Sequence, residues 1–121
     1  MARMKANPTT FEEAEEFLGN RDQRIIGHNT WVEDHWLTGG FIGVRYHNTI
    51  IVKWEKDNVS YFSGGWKTST TKQRLNEFML PGLRLYQKDF DWFLQEGQFN
   101  NREGHVRPWS EGISFRVKGA R

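Results

Sequence analysis

Cysteine is absent from this chain of 121 residues. That excludes disulfide bridges and thiolate metal sites, and it fits a reducing compartment. Long apolar runs are also missing. No stretch approaches the ~20 apolar residues of a membrane helix. Residues 1–25 hold none either, which predicts neither a signal nor a transit peptide. A cytosolic setting without a membrane partner is expected. Charge imbalance is slight: 17 Lys and Arg face 15 Asp and Glu, for a net charge of +2. Charge alone therefore does not point to nucleic acid.

Catalytic patterns are lacking as well. G-x-S-x-G, H-E-x-x-H and the P-loop pattern do not occur, because Gly64 and Gly65 are adjacent and no glycine precedes Lys67. The histidines at 28, 35, 47 and 105 make no ligand-spaced pair. The carboxylates Glu33-Asp34, Asp89 and Asp91 give no sign of converging across a cleft. No enzymatic activity, cofactor or metal is expected.

What the chain has is rings: nine Phe, six Trp and three Tyr. Aliphatic residues are few, so rings must build much of the core, with about four of the tryptophans structural. Charge is unevenly placed. Residues 10–20 hold four glutamates and no Lys or Arg, while residues 101–121 hold four arginines and one lysine against two glutamates. A basic tail that docks on the acidic first helix is the simplest reading.

Along the chain, Thr10 caps a helix in which Phe11, Ala14, Phe17 and Leu18 share a face, ended by Gly19-Asn20. Residues 24–33 read as one strand and 41–53 as a long extended stretch with a bend near His47-Asn48. Glu55 to Asn58 is a turn, and Val59 to Ser63 pairs back. A second helix is predicted from Thr70 to Met79, stopped by Pro81-Gly82. Leu83–Gln87 and Phe90–Gln95 form a hairpin, residues 98–104 a flexible loop, and Ile113–Val117 a last strand. Residues 1–8 should fray. The sum is one small α+β domain over residues 1–121, mainly an antiparallel sheet of about six strands with two short helices. An open curled sheet and a small barrel both fit.

The segment Ser63 to Arg74 carries five hydroxyls, two glycines, three cations and a tryptophan in twelve residues. Glycines let backbone approach a ligand closely. Hydroxyls at a helix start come with free amides and the positive dipole end. Trp66 offers a flat face, and Lys67, Lys72 and Arg74 add charge. These are the parts of a site for a phosphorylated, base-containing ligand. The bland alternative makes Gly64-Gly65 a turn, Trp66 a core plug and Thr70 or Thr71 a cap. Candidate contacts are Trp66, Lys67, Thr68, Thr70, Thr71, Lys72 and Arg74. Arg45 and His47, taken to share a strand face with Tyr46 inward, are second choices together with Tyr61.

The block Ser63-Gly64-Gly65-Trp66-Lys67-Thr68-Ser69-Thr70-Thr71-Lys72-Gln73-Arg74-Leu75-Asn76 resembles the hallmark of a widespread family of small bacteriophage proteins. The similarity spans roughly residues 24–95. It implies a phage origin and action in the host bacterial cytoplasm. In its chemistry the segment resembles the phage sponge proteins that sequester cyclic nucleotide signals of CBASS-type host defence. That likeness implies a cyclic di- or oligonucleotide ligand held without cleavage, with the pocket formed in a homo-oligomer. A single-stranded nucleic-acid binder and a protein-inhibitor module are the other readings.

Overall fold

The computed structural model describes residues 7–97 and 105–117. Most of the frayed start and the 98–104 loop expected from sequence lie outside the described residues, as do Arg102, Lys118 and Arg121. The chain order is α1 (Phe11–Leu18), β1 (Gln23–Gly27), β2 (Thr30–His35), α2 (Trp36–Gly39), β3 (Phe41–Tyr46), β4 (Thr49–Glu55), β5 (Asn58–Tyr61), α3 (Ser69–Asn76), β6 (Leu83–Lys88), β7 (Asp91–Glu96), β8 (His105–Pro108) and β9 (Ile113–Arg116). The first sheet runs β1-β2-β3-β4-β5-β9 and is open, with β1 and β9 as edges; the second runs β6-β7-β8. Every pairing is antiparallel. The α+β class holds, with nine strands among the described residues where about six were expected.

The difference in count has a local cause. Asn29 and His47 adopt positive φ of 51° and 56°, so each of the two long extended stretches folds on itself as a tight hairpin. Neither turn carries the glycine that usually signals one, although Asn and His tolerate this region better than most residues. The His47 amide donates to the Asn29 carbonyl at 2.8 Å. The two His-Asn-Thr tripeptides thus form adjacent turns at one end of the sheet. Strand β8 escaped notice because it is short, polar and ends on Pro108.

Alternation decides the faces. Val32, Ile42, Val44, Val52, Trp54, Val59 and Tyr61 point inward from the large sheet, and α1 packs Phe11, Ala14 and Leu18 against its β2–β4 part. Thr10 caps α1 by accepting from the Glu13 amide at 3.2 Å, while Glu13 reaches back to the Thr9 amide at 2.8 Å. The small sheet adds Leu85, Trp92 and Leu94 to the same core. Each buried Val, Leu, Ile or Phe side chain of this set contributes roughly 1.5–3 kcal/mol. Trp54 and Trp92 are fully inside, whereas Trp36 and Trp66 are exposed.

Helix α3 starts one residue earlier than the sequence suggested and ends at Asn76, three residues short of Met79. Its N-cap is Thr68, whose hydroxyl oxygen accepts from the Thr71 amide at 3.2 Å. Asn76 then ties the helix to β6. Its side-chain amide donates to the Leu85 carbonyl and its oxygen accepts from the Leu85 amide, both at 2.9 Å. That pair satisfies one backbone residue of an edge strand and fixes how α3 sits. The basic tail does not cover the first helix in the described part: Arg107 pairs with Glu96 at 3.3 Å, and α1 rests on β2, β3 and β4. Among the described residues no helix is long and apolar enough to cross a membrane.

Candidate functional site

Three segments meet around a cleft of about 360 Å³. The β3–β4 turn supplies Tyr46, His47, Asn48 and Thr49. The Gly-Gly bend supplies Ser63 and Trp66, and the start of α3 supplies Thr68, Thr70 and Thr71, with Ile51 at the floor. Trp66 is 65% exposed, so the core-plug reading of its ring fails. The Tyr46 and His47 rings lie 4.4 Å apart in a tilted contact. The cleft therefore presents flat apolar surface bordered by hydroxyls and one side-chain amide.

Gly64 is needed where it stands. Its φ is 65°, and a Cβ there would come within 2.5 Å of the Thr49 methyl group. Bend and turn thus touch only because the side chain is missing. Thr68 organises the other wall: its hydroxyl lies 3.2 Å from the Thr70 hydroxyl and 3.1 Å from that of Thr71. The first-turn amides of Ser69 and Thr70 have no intrahelical acceptor, as at any helix start.

The amides of the double-glycine bend, in contrast, are already engaged. Glu111 accepts from the Ser63 amide at 2.8 Å, the Gly64 amide at 3.0 Å, the Trp109 indole N–H at 2.8 Å and the Ser63 hydroxyl. The bend holds the chain's own carboxylate in the place where an anionic ester was expected. Sequence reasoning missed Glu111 because Ser63 and Gly64 lie nearly fifty residues away from it and it belongs to no local motif.

Partial burial on its own would raise the Glu111 pKa. The hydrogen bonds from Ser63, Trp109 and Gly64 outweigh this and hold it below the ordinary value of 4.5. A depressed carboxyl stabilises the fold fully above the ordinary carboxylate range and loses that contribution as pH falls through its folded value. Glu111→Gln is expected to cost about 1–2 kcal/mol at pH 7, allowing for solvent at this site. The gap between variant and wild type should narrow as the pH is lowered past 4.5. Urea denaturation across that range measures both, and a gap independent of pH would contradict the assignment.

The remaining sequence candidates divide. Thr68, Thr70, Thr71, His47 and Trp66 line the cleft. Lys67 and Lys72 do not: the Lys67 ammonium lies 6.0 Å from the centroid of the Trp92 ring, and that of Lys72 lies 3.3 Å from the Gln87 side-chain oxygen. Arg74 stands behind one wall, with its guanidinium 5.3 Å from the Tyr46 ring centroid and 2.9 Å from Glu77. Arg45 faces the other side of the sheet, held by Glu33 at 2.6 Å. Strand β3 ends at Tyr46, so Arg45 and His47 do not share a strand face; Tyr46, turned inward as expected, meets the cleft instead. Tyr61 is wholly buried, its hydroxyl accepting from the Leu80 amide at 3.3 Å. It is a core residue.

Fold and cleft describe a small single-domain protein, and its sequence places it among the bacteriophage proteins. The model of the Kyanoviridae Gp96 protein family matches residues 10–116, and the chain belongs to that family. No curated protein and no solved structure matches it.

Proposed function

We propose that this phage protein binds and sequesters a nucleotide signal of host anti-phage defence, of the cyclic di- or oligonucleotide class, and performs no chemistry on it. The observation that carries the reading is the exposed Trp66 ring at the mouth of a cleft edged by Tyr46, His47 and four threonines. A base inserted there stacks on an aromatic face, a contact worth about 1–3 kcal/mol. The Asn48 amide and the threonine hydroxyls suit the polar edge of a base and a ribose. The open amides of Ser69 and Thr70, at the positive end of α3, suit a phosphate.

The cleft volume of about 360 Å³ is at the small end of ligand sites, which run from about 300 to 1,000 Å³. It suits one nucleotide, so a cyclic dinucleotide would leave its other half for a second copy of the chain. The reading thus includes a homo-oligomer closing over a shared ligand in the host cytoplasm.

Thermal melts with a panel of mononucleotides, cyclic dinucleotides and cyclic trinucleotides test this. One cyclic member at about a hundred times its Kd should add about 2.7 kcal/mol, or roughly 10 °C in Tm. A wild-type Tm that no cyclic nucleotide moves would remove the reading.

A further inference from the structure

The hairpin joining β6 to β7 has a costly turn. Asp89 and Phe90 both have positive φ, 53° and 72°, the pattern of a type I′ turn whose second position favours glycine. A bulky aromatic residue in this region is a genuine outlier. Its ring is 91% exposed, so packing against the described chain does not offset the strain. The sequence suggested that Phe90 begins a strand; instead it stands at the tip with its ring in solvent. Strained backbone is retained where the residue held there has a use.

The surroundings indicate what that use is. Lys88 opens the turn. The rung just inside it pairs Gln87 with Trp92, and each of these receives a lysine from the α3 side. The Lys72 ammonium is 3.3 Å from the Gln87 oxygen, and that of Lys67 is 6.0 Å from the Trp92 centroid. Three lysines therefore gather at the tip against Asp89 and Asp91. Lysine is depleted at protein–protein interfaces, whereas an exposed ring set among cations is how single strands are held without sequence preference. We propose that this tip docks a single-stranded nucleic acid, with Phe90 stacking on a base and the lysines meeting phosphates. None of these residues lines the Trp66 cleft, so the inference stands apart from the nucleotide reading.

Fluorescence anisotropy with labelled DNA and RNA single strands of about 20 nucleotides tests it. Wild-type affinity should fall roughly 20-fold between about 50 and 200 mM salt, as three phosphate contacts require. Phe90→Gly should raise Tm by roughly 3–5 °C through relief of the turn and weaken oligonucleotide binding about tenfold. Leu37→Ala, at an exposed side chain in neither the cleft nor the tip, should leave oligonucleotide binding unchanged. A wild type that fails to bind at low salt, or a Phe90→Gly variant that binds equally well, would overturn the proposal. A Phe90→Gly variant less stable than wild type would overturn its premise of strain.

Discussion

Trp66→Ala is expected to weaken binding of the cleft ligand roughly 10- to 100-fold while leaving the fold nearly as stable as before. The binding loss follows from removing one stacked face, worth about 1–3 kcal/mol. The small stability effect follows from exposure: with 65% of the ring already in water, little apolar area returns to solvent on truncation. The surrounding bend does not rest on the indole. It is held by Glu111 through Ser63 and Gly64, and by the Trp66 amide donating to the Ser63 carbonyl at 3.0 Å. Calorimetric titration beside a urea melt separates the two effects. A loss of several kcal/mol in stability would instead mean that the ring is part of the core.

Tyr61→Ala should give the opposite pattern. The ring is completely buried beside Phe115, with centroids 6.1 Å apart. Emptying its site is expected to cost about 3–5 kcal/mol, a large part of the roughly 5–15 kcal/mol that holds a domain together. Burial pushes the phenol well above its ordinary range against the opposing bond from the Leu80 amide. Tyr61→Phe removes only that acceptor and should cost about 1 kcal/mol. Urea melts of both variants measure this. Tyr61→Phe with unchanged stability but lost ligand binding would return the residue to the site.

Much of this was readable before any coordinates. The amphipathic spacing of Phe11, Ala14 and Leu18, the Thr10 cap and the extended character of residues 41–53 are local signals, and local signals survive folding. The Ser63–Thr71 part of the block is likewise close in sequence, and Ser63, Trp66, Thr68, Thr70 and Thr71 come together around one cleft. What failed depended on long-range pairing. Tyr61 alternates with Val59, so its burial follows from the register of β5, but a tyrosine near a glycine bend also suits a ligand. Whether Lys67 and Lys72 face the cleft or the small sheet is set by Trp92 and Gln87, about twenty residues on. Glu111 was invisible because a lone glutamate in a polar loop has no local signature. His47 and Phe90 sit in turns without glycine, where backbone conformation runs against residue type.

The most direct measurement is a two-dimensional NMR titration of the labelled protein with the cyclic nucleotide that most raises its Tm. The indole N–H of Trp66 and the amides of Ser69 to Thr71 should shift most, while the indole of the buried Trp54 stays still. Shifts confined to other surfaces, with the Trp66 indole unmoved at saturation, would contradict a ligand site in this cleft.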